Sequence, residues 1–272
     1  MLAQAPSAQQ LHHLHSNRAT AMTPDPTVRV VRVPILPFGM VNCHLLIGPQ
    51  GCVLVDAGLP GSEGKVRRVL RRYGLDYADI TLIVITHAHI DHAGSARKLR
   101  KLSGAPIVAH AGDLDYYEQR KPMTFCTTDW FSRLFLRTGV IRKPHAPFTP
   151  DLLLQHGEGL DLQPYGLPGR VQHTPGHTAG SISVQLTGGD AMVGDLLASG
   201  VMLGGLVRTG RAKRPPFEDD PHQVADELQR LVDAGAQRFY MGHGGPLPAK
   251  EVLRHARVLR TLDHRHHAGC CS

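Results

Sequence analysis

"ITLIVITHAHIDHAG", residues 80–94, decides the fold. Ile80 to Ile85 form an apolar run broken only by Thr81, which reads as a strand buried on both faces, and such strands occur where helices cover a sheet. Directly after it the chain places His87, His89, Asp91 and His92 within six positions. Alternation at a strand end sends His87 and His89 to one side, while Asp91 and His92 open the next helix. Neutral imidazoles converging with a carboxylate make a transition-metal site, whereas one histidine alone would carry no such meaning.

On the N-terminal side, "VRVVRV" (28–33), "MVNCHLLI" (40–47) and "CVLVDAG" (52–58) cluster β-branched residues between Pro and Gly breakers, so three strands are expected in hairpin-like succession. Helices are expected from about Glu63 to Arg72 and from Ala93 to Leu102, with the strand "PIVAH" at 106–110 following. Strand signals resume after Pro150 with "DLLLQ", "RVQHT" (170–174), "SISVQL" (181–186) and "DAMVGD" (190–195). A helix from Pro221 to Ala234, the strand "RFYMG" (238–242) and a helix from Ala249 to Leu259 close the pass. This rhythm predicts an α/β sandwich. The stretch from Asp113 to Val140 differs. It holds Tyr116, Tyr117, Phe125, Trp130, Phe131 and Phe135, with Phe131, Leu134, Phe135 and Thr138 spaced as a helix face, and reads as a helical hairpin packed on the core, with a substrate-facing lid over 113–150 as the sharper alternative.

Three later turns each present a potential ligand beside small residues after a strand. "TPGHTAGS" offers His177, "VGDLLASG" offers Asp195 and "YMGHGGP" offers His243. The five histidines and two aspartates suffice for two metal ions.

The ordered set H-x-H-x-D-H, T-P-G-H-T, G-D and G-H, together with Asp56 in "VLVDAG", resembles the metallo-β-lactamase-fold hydrolases from about residue 40 to residue 245. Within that superfamily the pattern is similar to the dinuclear glyoxalase II and lactonase branches. The resemblance implies an α/β fold built as a four-layer αββα sandwich over residues 28–262, with the helical insert at about 113–140. It implies that His87, His89 and His177 hold one metal, that Asp91, His92 and His243 hold the second, and that Asp195 bridges them. Asp56 takes the position that buttresses the site, where a carboxylate fixes a ligating imidazole's tautomer. Two cations sharing a water bring its pKa down to about 7, so a bridging hydroxide attacks an ester, thioester or lactone carbonyl, and Asp91 passes the proton on as the catalytic carboxylate. Zn²⁺ suits these ligands first, with Fe and Mn open. The alternatives are an iron-dependent sulfur or oxygen redox enzyme of the same fold, and a phosphodiesterase or nucleic-acid-binding protein. Acyl-homoserine lactonases place a tyrosine three residues after the bridging aspartate; here that position is Ala198.

The whole chain sets bounds on the partners. Its 272 residues carry a net charge of +7, mostly from helix-like patches such as "KVRRVLRR" (65–72), with no interleaved aromatics of the kind that bind nucleic acid. A small-molecule substrate is expected, an anionic one among the options, with neither nucleic acid nor membrane as partner. "RTGRAKRPP" (208–216) reads as an exposed loop, and His44, His110, His145, His156, His173, His222 and His255 read as packed or surface residues. Cys43, Cys52, Cys126, Cys270 and Cys271 make neither a repeated C-x-x-C pattern nor an even framework, which fits a reducing, cytoplasmic setting. Residues 1–27 read as a disordered extension in which Met22 is a candidate start, and 263–272 as a His/Cys-rich tail.

Overall fold

A computed structural model describes residues 28–201, 203–204 and 207–263, so the extension at 1–27 and all but the first residue of the tail lie outside the described residues. Strands β1 (Arg29–Pro34), β2 (Asn42–Gly48), β3 (Gly51–Val55), β4 (Ile80–Val84), β5 (Ile107–His110) and β6 (Leu152–Leu154) form one sheet in that order. Strands β7 (Gly159–Asp161), β8 (Gly169–His173), β9 (Ile182–Leu186), β10 (Asp190–Met192), β11 (Ala198–Ser199), β12 (Ala212–Lys213), β13 (Arg238–Tyr240) and β14 (Leu247–Pro248) follow. Of these, β11 and β12 pair with each other, and the rest form a second sheet ordered β14-β13-β10-β9-β8-β7. The helices are α1 (Glu63–Arg72), α2 (Ile90–Ala93), α3 (Ala96–Ser103), α4 (Leu114–Tyr117), α5 (Trp130–Arg137), α6 (Pro221–Asp233) and α7 (Ala249–Leu259).

Alternation along the central strands builds the layers. Val53, Val55, Leu82 and Val84 meet Val171, Val184 and Met192 of the other sheet in one buried cluster. Their neighbours Cys52, Leu54, Ile83 and Ile85 pack outward against Val66, Leu70 and Leu99 of α1 and α3. On the far side Ala191 and Phe239 pack against Leu228, Leu231 and Val252 of α6 and α7. The result is the expected αββα sandwich. The run at 80–85 is apolar apart from Thr81 because β4 lies between β3 and β5, parallel to both, with a covered face on each side. α6 begins where Asp220 accepts hydrogen bonds from the amides of His222 and Gln223 and Pro221 needs no donor, and it buries Val224, Leu228 and Leu231 at helical spacing.

The segment 113–140 is not a helical hairpin. α4 makes a single turn, the chain then runs extended through Pro122 to an isolated bridge between Thr127 and Phe217, and only α5 is a helix of eight residues. Pro122 lacks the amide a continuing helix needs, and Phe125 is buried against Phe217 with ring centroids 4.8 Å apart. Asp129 and Ser132 then restart the helix with a reciprocal capping box.

Candidate metal centre

All seven sequence-predicted ligands come together at one edge of the two sheets. His87 and His89 lie in the loop after β4, Asp91 and His92 lie in α2, His177 in the β8–β9 loop, Asp195 just beyond β10 and His243 just beyond β13. Their donor atoms form three groups, each within 4.8 Å: His87, His89 and His177; His87, His92 and Asp195; Asp91, His92 and His243. The rings of His87, His89 and His177 stand nearly perpendicular, with centroids 4.4 to 4.8 Å apart, so a nitrogen of each reaches a shared point. Asp195 joins the groups, with Oδ2 3.0 Å from His243 Nε2 and 4.0 Å from His177 Nε2, and Oδ1 3.4 Å from His92 Nε2. His87 Nε2, His92 Nε2 and Asp195 Oδ1 are buried without a hydrogen-bond partner. Buried polar atoms rarely go unpaired, and lone pairs converging on one space fit a divalent metal centre.

The outward nitrogens are held so that the inward ones carry lone pairs. Asp56 Oδ2 accepts from His92 Nδ1 at 2.9 Å, and Asp56 Oδ1 accepts from the Thr86 amide at 2.8 Å. Thr86 gives its one hydroxyl proton to Asp56, which leaves Thr86 Oγ1 to accept from His87 Nδ1 at 3.0 Å. His243 Nδ1 donates to the Met40 carbonyl. One carboxylate thus sets two imidazole tautomers, in the buttressing position expected of Asp56. Two glycines make room for this. A Cβ on Gly242 would lie 2.4 Å from His92 Cε1 and 2.5 Å from Asp195 Oδ1, and one on Gly194, at φ 51°, would lie 2.6 Å from Thr86 Oγ1.

Electrostatics divides the cluster. Burial holds His87 well below the usual imidazole range and lowers His89 to about 3 and His177 to about 4, so all three stay in the neutral, ligating form. Burial is the largest single effect on His92 and His243 and opposes their charge, but the carboxylates together outweigh it: Asp195, Asp56 and Asp91 at His92, and Asp195 and Asp91 at His243. His92 rises well above the ordinary range and His243 to about 10. Without a cation, protons on these two imidazoles balance the carboxylates.

Two positioning residues escape the sequence pattern. Asp113, fully buried, accepts from the Ala88 amide at 3.0 Å and from Thr178 Oγ1 and the Gly180 amide at 2.9 Å, tying the His87–His89 loop to the turn carrying His177. Burial raises its carboxyl to about 6. Asn42 donates to the carbonyls of Gly39, Gly242 and Gly244 and so holds the loop of His243. Neither belongs to a short spaced pattern. The seven remaining histidines stay outside the three donor groups; His173, for example, stacks on His110 with centroids 3.7 Å apart.

A cavity of about 380 Å³ opens onto the centre. His89, Asp91, His177, Asp195 and His243 form its floor. Leu36, Met40, Phe131, Phe135, Ile141 and Phe217 are among its apolar walls, and its lining includes no Lys or Arg. The loop at 208–216 reaches the cavity only through Pro216; Arg208 and Arg211 are exposed, and Arg214 pairs with Glu218. No helix among the described residues is long and apolar enough to cross a membrane.

An αββα sandwich with buried imidazoles and carboxylates gathered beneath a cavity defines a metal-dependent hydrolase. The chain belongs to the metallo-beta-lactamase superfamily, whose sequence model matches residues 36–243. It is 26% identical over 221 residues to the probable metallo-hydrolase YflN of Bacillus subtilis, covering 74% of this chain and 78% of that one. The probable metallo-hydrolase YqgX of the same organism is 28% identical, covering 62% and 71%. Among solved structures, the metallo-beta-lactamase family protein TTHA1429 of Thermus thermophilus aligns with a TM-score of 0.60 at 28% identity, covering 89% of this chain and 80% of that one.

Proposed function

We propose that the centre is dinuclear, that zinc occupies it, and that the enzyme hydrolyses a neutral ester, thioester or lactone with an apolar acyl portion. His87, His89 and His177 would hold one cation, Asp91, His92 and His243 the other, and Asp195 would lie between them. Cations held there supply Lewis acidity and bring a water towards hydroxide near neutral pH. The chain's own side chains do the rest. Asp91, whose side chain is 13% exposed against 4% for Asp195, is the carboxylate open to the cavity, where it can take a proton and pass it to the departing alkoxide or thiolate. The apolar walls position the acyl group and exclude water around it. With Ala198 at the tyrosine position of the acyl-homoserine lactonases, the chain supplies no phenol there, which leaves the proton to Asp91.

The observation that carries this reading is a donor cluster flooring a cavity whose lining holds no Lys or Arg. A cavity built for a phosphodiester or an anionic group would place Arg or Lys along its wall. The test is a panel of esters, thioesters, lactones and phosphodiesters on protein of measured metal content. Turnover of the neutral acyl compounds is expected; turnover of phosphodiesters alone, or iron with oxygen uptake, would replace the proposal.

A further inference from the structure

Nine large apolar side chains are exposed among the described residues, and they are not evenly spread. Six of them, Phe38, Trp130, Leu134, Val140, Val201 and Val207, line the cavity or lie within four residues of a side chain that does. Trp130 is 74% exposed and Phe38 62%, and Phe38 is held on left-handed backbone at φ 57°, an unfavourable conformation for a bulky residue. On α5 the division is by face. Phe131 and Phe135 line the cavity, while Trp130, Arg133, Leu134 and Arg137 are exposed. Single exposed apolar side chains are ordinary, but their concentration in the segments that border one cavity marks an interaction surface.

Charge indicates the partner. Residues 36–40, 130–143 and 201–208 contain no Asp or Glu. Arg133, Arg137, Arg142, Lys143 and Arg208 are exposed, and none of the five forms an ion pair among the described residues. Exposed Trp and Leu interleaved with unpaired Arg and Lys, on a protein of net charge +7, have the chemistry of a surface that rests on anionic headgroups and inserts apolar side chains between them. A second copy of the chain fits poorly, because a two-fold contact would set this basic rim, whose neighbouring exposed acid is Asp129, against itself.

We propose that the rim of the cavity is a docking surface for an anionic lipid bilayer, with Phe38, Trp130 and Leu134 entering the interface and the basic side chains contacting headgroups. The contact is peripheral, and it departs from the expectation of no membrane partner. The docking stands on the rim alone; a corollary, that acyl substrate reaches the cavity from the lipid, rests on the function proposed above.

Trp130 is the chain's one tryptophan, so intrinsic fluorescence reports the rim directly. The full-length, metal-loaded protein is mixed with vesicles of phosphatidylcholine alone or of equal parts phosphatidylcholine and phosphatidylglycerol. Co-sedimentation with the mixed vesicles is expected, with a blue shift of Trp130 emission, and both are lost in high salt. Leu134→Ser and the pair Arg133→Glu, Arg137→Glu each lower partitioning by about tenfold or more, while hydrolysis of a short soluble ester is retained as a check on folding. Absence of binding to either vesicle, or equal binding to both, overturns the proposal. So does a dimer in sedimentation velocity that Leu134→Ser dissociates, which would give the rim to a second copy. Vesicle binding without ester turnover would remove only the hydrolase reading, and turnover without binding only the docking surface.

Discussion

Asp56 takes hydrogen bonds on both carboxylate oxygens from a backbone that holds it at φ 65°, a conformation Asn tolerates nearly as well. Asp56→Asn therefore keeps the turn but leaves one oxygen where two acceptors were needed. The introduced NH₂ then faces His92 Nδ1 or Thr86, and the proton on His92 is no longer directed away from the centre. Metal affinity should fall about 10–100-fold with the fold intact, read by competition with a chromophoric chelator; unchanged affinity would separate Asp56 from the centre. The ligand division makes a second prediction. Asp195→Ala removes the carboxylate shared by both positions and should leave well under one metal per chain, whereas His243→Ala should leave about one, because His87, His89 and His177 keep Asp195 as their fourth ligand. Elemental analysis decides it, and equal loss in both variants would abolish the division into two sites.

At the scale of elements, the opening loop was fully legible in the sequence because His87, His89, Asp91 and His92 are neighbours in the chain, and His177, Asp195 and His243 each sit in a Gly-marked turn. Asn42 was not legible, since its partners at Gly242 and Gly244 lie 200 and 202 residues away and nothing local distinguishes it from a polar residue at a strand start. Asn42→Ala would leave the Gly244 carbonyl without its donor, at about 1–3 kcal/mol for a buried group left unpaired, while the Gly242 carbonyl keeps the Asn42 amide, and would loosen the loop of His243. Calorimetry should show a lower Tm, with the metal deficit of His243→Ala appearing alongside it; a normal metal content would confine Asn42 to fold stability. Within 113–140 the helix face at Phe131, Leu134 and Phe135 was legible and falls on α5, whereas the pairing of Thr127 with Phe217 was not, because its partner lies far along the chain. The part that is helical, α5, supplies cavity wall through Phe131 and Phe135. Phe135→Ala should lower kcat/KM for a long-chain acyl ester by about tenfold or more, since each methylene contact in an apolar pocket is worth about 1–3 kcal/mol. An acetyl ester, too short to reach the wall, should lose little, and equal losses on both would make Phe135 structural only.

Across the whole molecule, the first sheet delivers His87, His89, Asp91 and His92 and the second delivers His177, Asp195 and His243, so a cation bound by both sets ties the two sheets together. Such binding adds RT ln(1 + [L]/Kd) to stability, about 4 kcal/mol at a thousandfold excess over Kd, and roughly 2–4 °C of Tm per kcal/mol for a domain this size. Removing metal with a chelator should therefore lower Tm by about 10 °C, reversibly on adding Zn²⁺. The size of the gap depends on pH with a definite sign. In the metal-free protein the folded pKa of His243, about 10, lies above its ordinary value of 6.5, so the stabilisation from its pairing with Asp195 and Asp91 is complete below pH 6.5 and is lost as pH rises through 10. Metal binding displaces that proton, so affinity rises with pH over the same window, by up to about tenfold per unit for each proton released. The loaded and metal-free melting curves should accordingly draw apart between about pH 6.5 and pH 9. A gap that stays constant or narrows would mean that His243 is neutral before the cation arrives, and that Asp195 and Asp91 are balanced by some other charge.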